Sequence, residues 1–125
     1  MATWPEIKAF IKNKYTHVEE LNDDLLKGTF FWSDDERSHL FFCELANDVK
    51  IVFLAPVAEY SRENAIKLLE NNTSVYGVMI KGTDPGLLCL IDPQNMATLD
   101  EEEINVDMLS IADKLEQDLF GGDEL

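Results

Sequence analysis

The sequence predicts an α+β domain in which three helices accompany an antiparallel sheet of about five strands, in the order α-β-β-β-α-β-β-α. Segments with helical periodicity lie at the start, middle and end of the chain, and the extended apolar segments between them are joined by short turns. Strands that follow one another through hairpins pair antiparallel, whereas a doubly wound α/β sheet needs helical crossovers. The 125 residues have the usual length of one domain, which we expect to comprise residues 1–120 with a short acidic tail at 121–125.

The first helix has a complete start signal. Thr3 is a suitable N-cap, Pro5 fits the first helical position, and Glu6 is placed to bond back to the cap. The apolar residues that follow recur at helical spacing, with the lysines mostly on the other side. The helix is therefore expected from about Pro5 to Lys14.

The first three strands are predicted from β-rich apolar runs. Residues 18–27 fit either a short helix or a strand and turn, but 28–32 is β-rich and ends at the polar run 33–36, which is typical of a hairpin loop. Two further strands are expected at 39–45 and 49–55. Both parities of these two strands are apolar, so we expect the centre of the sheet to be covered on both faces.

The second half of the chain predicts a helix, a hairpin and a longer helix. Ser61 can cap the middle helix, and a turn at 81–86 separates the two strands of the hairpin. The last helix is expected to begin near 101–105, where acids favour a helix N-terminus, and to stop at Gly121–Gly122. Apolar residues spaced four, three, four and four positions apart give it one long apolar face: Ile104, Met108, Ile111, Leu115 and Leu119.

The chain is strongly acidic, with 25 acidic and 10 basic side chains and a formal charge of −15. Such a field repels phosphate backbones and anionic lipid surfaces, so neither nucleic acid nor a membrane is expected as a partner. The sequence contains no run with the length and apolarity of a membrane span, and its N-terminus lacks the pattern of a secretion signal. We therefore expect a cytoplasmic protein whose two cysteines, Cys43 and Cys89, are reduced core residues.

Residues with catalytic or metal-binding chemistry are few. His17 and His39 have no second His or Cys at the spacing of a metal site, and the carboxylate runs 34–36 and 100–103 lack the alternating ligands of a calcium loop. The sequence also lacks the nucleophile-elbow and phosphate-binding glycine motifs. We expect no enzyme activity, no cofactor and no bound metal, with structural or surface roles for both histidines.

Aromatic residues are concentrated in the first three strands, beyond what three short helices cover if they all pack on one face of the sheet. An ordinary core with half-buried side chains would explain the pattern. Alternatively, a face or edge of the sheet binds a second copy or another chain by hydrophobic burial and strand addition. The candidate partner-binding residues are Phe30, Trp32, Phe41, Phe53, Met108 and Leu115.

Short motifs in the second half of the chain are similar to those of a known group. Leu68–Asn72 look like the L-L-x-x-N that closes the middle helix of that group, Tyr76–Gly77 lead into a strand pair, and Ile111–Lys114 look like the A-D near the end of its chains. With its order of elements, the chain resembles the type III secretion chaperone-like fold, including the YbjN family. The resemblance implies a cytoplasmic protein, commonly a homodimer, that works without cofactor or nucleotide, has no catalytic residues, and holds a client segment against apolar grooves.

The leading prediction is a non-catalytic protein-binding module, a chaperone or regulatory adaptor that holds a client segment on apolar surface as a homodimer. The alternative is an acidic immunity or inhibitor protein that binds a basic toxin or nuclease. A third hypothesis is a small enzyme or ligand-binding domain with a pocket between the last helix and the sheet. Salt separates the first two, because apolar binding survives high ionic strength and binding between exposed charges does not.

Overall fold

The computed structural model describes residues 3–32, 38–83, 85–100, 104 and 106–121. Within these ranges the chain forms three helices and six strands: α1 (Trp4–Lys14), β1 (His17–Asn22), β2 (Leu25–Phe31), β3 (Ser38–Asn47), β4 (Lys50–Glu59), α2 (Arg62–Asn71), β5 (Gly77–Lys81), β6 (Leu87–Asn95) and α3 (Met108–Phe120). The predicted α+β class is confirmed. The sheet has one strand more than the expected five, because residues 17–22 form β1.

The strands form one antiparallel sheet in the order β1-β2-β3-β4-β6-β5, so β1 and β5 are its edges. The two edges differ in character. β1 carries the exposed acids Glu19 and Glu20 and has an irregular register between Glu20 and Asn22. β5 is regular and exposes Met79 and Ile80. Charges and register breaks protect a sheet edge from pairing with another chain, and β5 has less of this protection.

Helix α1 begins as its sequence predicts. The Glu6 amide donates to Thr3 Oγ1 at 3.4 Å, and the Thr3 hydroxyl donates to Glu6 Oε1 at 2.9 Å. Trp4, Ile7 and Ile11 are buried on one side of the helix. The expected first helix is therefore confirmed, with its cap at Thr3.

The β1–β2 hairpin is tied to α1 by polar contacts. Lys8 and Lys12 each place the ammonium nitrogen 2.7 Å from a carboxylate oxygen of Glu20. The Trp4 indole donates to the Asp23 carbonyl oxygen at 2.7 Å. Residues 18–27, for which the sequence allowed either a short helix or a strand and turn, thus form a strand and turn that these contacts hold against α1.

All three helices pack on the same face of the sheet. Their buried side chains join those of the strands in one main core cluster, which includes Ile7, Ile11, Phe41, Phe53, Leu68, Leu88, Leu90, Leu109 and Ala112. A smaller cluster lies on the opposite face and has at its centre Phe42, Leu54 and Cys89. Among the described residues, that smaller cluster contains no helical side chain. None of the described helices is long and apolar enough to cross a membrane.

The expected start of the last helix near 101–105 is wrong for the described part of that segment. Helix α3 begins at Met108, and Ile104 and Val106 are buried without being helical. Lys14 donates to the Ile104 carbonyl oxygen at 2.8 Å, which anchors this stretch beside α1. Ile104 and Met108 are thus both buried, but Ile104 precedes the helix and does not belong to its apolar face.

The ends of α2 and α3 follow their sequence signals. The Ser61 hydroxyl oxygen accepts a hydrogen bond from the Asn64 amide at 3.0 Å, and Leu68 is the buried residue of α2. Gly121 adopts φ 65°, the left-handed conformation that glycine adopts without strain, and it ends α3 as expected. The predicted loop at 33–36 and residues 122–125 of the acidic tail lie outside the described residues.

Candidate functional site

The face of the sheet that the helices leave uncovered is apolar, and we call it the open face. The strand register aligns Phe42, Leu54 and Ile91 side by side across β3, β4 and β6. The open face is formed by the smaller cluster and the apolar residues around it: Leu25, Leu40, Phe42, Val52, Leu54, Leu87, Cys89 and Ile91. Phe31 and Met79 extend it on β2 and β5, since Phe31 shares the parity of Leu25 and Met79 pairs with Cys89.

Burial on the open face decreases outward from its centre. Leu54 and Cys89 are fully buried, and their neighbours Val52, Leu87 and Ile91 are only half-buried. At the margins, Phe31 is 51% exposed and Met79 is 37% exposed. A contiguous apolar surface of this kind on a single chain is typical of an association site.

The sheet curls toward its open face. The Lys81 ammonium nitrogen lies 3.7 Å from Glu44 Oε2 and 5.2 Å from the centroid of the Phe42 ring. The strands β4 and β6 separate β5 from β3, so in a flat sheet β3 and β5 would lie about 14 Å apart. Along β6, Lys81 is paired with Leu87, whereas Glu44 is aligned, through Val52 of β4, with Pro93. These two positions of β6 lie about 20 Å apart. Only a strongly twisted sheet brings these corners together, and the result covers Phe42.

Charges on the open face are balanced among the described residues. Lys27, Lys50 and Lys81 face the same side as Glu19, Glu44 and Glu59, which gives a net charge of zero (three lysines against three glutamates) where the whole chain has −15. The acidic excess therefore belongs to other surfaces. Burial of apolar area is the main source of binding energy that this face offers to a partner.

Three of the predicted partner-binding residues are not at the surface. Phe41 and Phe53 are each 1% exposed and Met108 is 3% exposed, and all three belong to the main core on the helix side. They pack the sheet against its helices, so a partner cannot reach them without unfolding the domain. In the strands, the neighbours of Phe41 and Phe53, which are Phe42 and Leu54, point to the open face.

Phe30 and Trp32 line a cavity of about 350 Å³ between the end of α1, the end of β2 and the start of α3. Their ring centroids lie 5.0 Å apart in an edge-to-face arrangement, and the Phe30 and Tyr15 centroids lie 6.0 Å apart. Burial, together with the nearby Asp107 carboxylate, raises the pKa of Tyr15 to about 12. The phenol therefore stays neutral, and the cavity is an aromatic recess with Lys14 and Asp107 in its wall.

Leu115, the sixth predicted residue, is half-buried in a groove between α2 and α3. This groove has a volume of about 610 Å³, and the segment after α2, from Asn71 to Ser74, forms its other wall. The structure thus distributes the predicted residues over the core, an aromatic cavity and a helix groove, and gathers none of them on the open face.

The two cysteines offer no activated nucleophile. Both are free and buried, and burial raises the pKa of each thiol to about 12. Since the thiolate is the reactive form, neither Cys43 nor Cys89 is poised for nucleophilic chemistry.

The open-face residues were not predicted individually, although a signal for them exists in the sequence. Both parities of β3 and β4 are apolar, which requires a second covered face, but the pattern does not tell which parity meets the helices. The structure assigns Phe41 and Phe53 to the helix side, and Phe42 and Leu54 to the open face.

The chain matches no family model, no curated protein and no solved structure. The open face, the aromatic cavity and the helix groove are therefore the features from which a function is inferred.

Proposed function

We propose that this chain is a non-catalytic protein-binding module of the chaperone or regulatory-adaptor kind, acting in the cytoplasm, that holds an apolar segment of a client protein on its open face. The observation that supports it is the apolar sheet face opposite the helices, with half-buried Val52, Leu87 and Ile91 around a buried centre. A client segment with alternating apolar side chains would complete the burial of these residues.

The client's recognition is hydrophobic. The open face has a net charge of zero among its described residues, so long-range attraction of a basic partner contributes little there. Each apolar side chain that becomes fully buried adds roughly 25 cal/mol per Å² of area removed from water. Binding of this type persists at high ionic strength, because salt screens charges and not apolar contacts.

Dimerisation is assigned to the β5 edge. Pairing of two β5 strands extends the sheet, places the exposed side chains of Met79 and Ile80 near the contact, and joins the open faces of two copies into one surface. β1 is the less suitable edge, because it carries Glu19 and Glu20 and an irregular register.

The test compares two matched sets of surface substitutions. Phe31→Glu and Met79→Glu place a carboxylate on the open face, and Leu69→Glu and Val75→Glu place one at exposed apolar positions elsewhere. The tagged proteins are used to capture a partner from the source lysate and are washed with about 1 M salt, where charges are screened beyond roughly 3 Å. We expect the same client with the wild type and with the second set, and loss of it with the first set.

Two results contradict the proposal. Equal capture by both sets of variants would place the client elsewhere, and a chain that stays monomeric by sedimentation velocity at high micromolar concentration would exclude the homodimer. Loss of a basic partner in the salt wash would favour the alternative of an acidic immunity or inhibitor protein, to which the charge of −15 is suited.

A further inference from the structure

A buried cluster of one imidazole and two carboxylates lies between β3 and α3. His39 is fully buried, and Glu116 and Asp113 are 1% and 7% exposed. Asp113 and Glu116 are one turn apart on α3, which directs both carboxylates to the same side of the helix. Their oxygens and a ring nitrogen of His39 all lie within 4.8 Å of one another. The geometry points to a binding site for a divalent transition-metal ion of the zinc type, held by His39, Asp113 and Glu116.

The hydrogen bond at the far side of the His39 ring fixes which nitrogen faces the cluster. Nε2 is hydrogen-bonded to the Pro56 carbonyl oxygen, and since a carbonyl only accepts, Nε2 carries the proton. Nδ1 then faces Asp113 Oδ1 at 3.4 Å and Glu116 Oε1 at 3.8 Å. In the neutral imidazole this nitrogen is itself an acceptor, so three acceptors converge. A metal ion between them would be coordinated by all three.

The surroundings of the cluster are those of ligands held in position. Metal-bound histidines usually donate the other ring N–H to a carbonyl or carboxylate, as His39 does to Pro56. Ligating carboxylates are in turn hydrogen-bonded, and the Gln117 amide donates to Asp113 Oδ2 at 2.7 Å, which leaves Oδ1 directed at His39.

One of the three separations between ligand atoms already suits a tetrahedral ion, and all three are within 4.8 Å. Zinc binds nitrogen and oxygen ligands at about 2.0–2.2 Å, so two tetrahedral ligands lie roughly 3.4 Å apart. The separation of His39 Nδ1 and Asp113 Oδ1 has this value, 3.4 Å, and Glu116 Oε1 needs a small inward movement from 3.8 Å. An imidazole in the set favours zinc over magnesium or calcium, which prefer all-oxygen sites.

Access and competition set limits on the affinity. The Asp113 side chain is 10% exposed, so the cluster is not sealed from solvent. Asp113 and Glu116 have further interactions besides those with His39 and Gln117. A metal ion must compete with these, which lowers its affinity relative to that of a dedicated structural zinc site.

The experiment is titration of the metal-free 125-residue chain with Zn²⁺ by calorimetry, in excess Mg²⁺ to occupy weak sites on the acidic surface. We expect one Zn²⁺ per chain and a raised melting temperature, because an ion that binds only the native state stabilises it. Gln117→Ala should weaken binding about 10-fold by releasing Asp113, and His39→Gln and Asp113→Asn should weaken it more. His17→Gln and Asp118→Asn, an exposed histidine and an exposed α3 acid, are the matched controls and should bind like the wild type.

Gln117 is exposed, so its substitution tests the site even if the two buried variants do not fold. The inference is overturned if the wild type binds no zinc in excess Mg²⁺, or if Gln117→Ala binds as tightly as Asp118→Asn. A wild type without zinc would leave the cluster as a polar contact between the His39 ring and the α3 carboxylates, and equal binding by Gln117→Ala would place the zinc at another site. Because the proposed client binds on the opposite face of the sheet, failure of the metal site leaves the proposed function untouched.

Discussion

Replacing Gly28 with alanine is expected to destabilise the domain, although this substitution in a strand usually stabilises by about 0.4–1 kcal/mol. Gly28 pairs with Phe41, whose ring lies across it. A Cβ at Gly28 would lie 2.3 Å from Phe41 Cζ and 2.6 Å from Cε1, well inside van der Waals contact. The Phe41 ring cannot move away easily, because Phe41 is 1% exposed and its ring packs edge-on against Tyr15, with the ring centroids 5.4 Å apart. Overpacking of this kind costs about 1–3 kcal/mol.

Gly77→Ala is the matched control. Its added Cβ would meet only the Ile91 side chain, at 3.4 Å, which is ordinary contact. In urea unfolding we expect Gly77→Ala to leave the free energy of unfolding unchanged or to raise it by up to about 1 kcal/mol. Gly28→Ala should lower it by about 1–3 kcal/mol with no change in the m-value.

A double-mutant cycle with Phe41→Leu isolates the clash. In a Phe41→Leu background the smaller side chain frees space above Gly28, so the cost of Gly28→Ala should shrink, with a coupling energy of about 0.5–3 kcal/mol. Equal costs in both backgrounds would refute the steric explanation, as would a Gly28→Ala variant as stable as the wild type.

Two further predictions concern titration and reactivity. Hydrogen bonds from Lys12 and, to a smaller extent, Lys8 lower the pKa of Glu20 from 4.5 to about 2. A carboxyl group whose pKa is lower in the folded state stabilises that state at pH values above its unfolded pKa. This contribution is therefore present above pH 4.5 and is lost as the pH falls toward 2. An NMR titration should show the Glu20 carboxyl protonating near pH 2, and Lys12→Met should move the midpoint up; a wild-type midpoint at 4.5 would contradict the ion pairs. Cys43 and Cys89, with thiol pKa values of about 12, should resist a thiol-specific disulfide reagent at pH 8 in the folded state and both react after unfolding, and rapid labelling of the native protein would disprove their burial.

Elements with strong local signals were predictable from sequence. The capped start of α1, the apolar run of β4 and the glycine stop at Gly121 all appear where the residues indicate. β1 was not predictable, because five of its six residues are exposed and no alternation marks it. It forms because β2 supplies backbone partners and α1 supplies the lysines that hold Glu20, and both are tertiary effects.

The candidate sites depended on information that a sequence does not carry. Phe41 and Phe42 are equally apolar neighbours, yet one meets the helices and the other the open face, and the packing of the helices on the sheet decides between them. His39 was expected to have a structural or surface role, without any metal site, because no second His or Cys lies at the spacing of such a site. Its carboxylate partners are 74 residues or more away, at Asp113 and Glu116, and fold topology alone unites them.

The unlike edges of the sheet limit how far an assembly of this chain can grow. If strand addition is confined to β5, two copies that pair through it form a closed, two-fold symmetric contact and use up the edge of both. The outer strand on each side is then β1, whose acids Glu19 and Glu20 and broken register discourage a third copy. A protein that exposes an apolar sheet face can in this way avoid assembling into a fibre of its own copies.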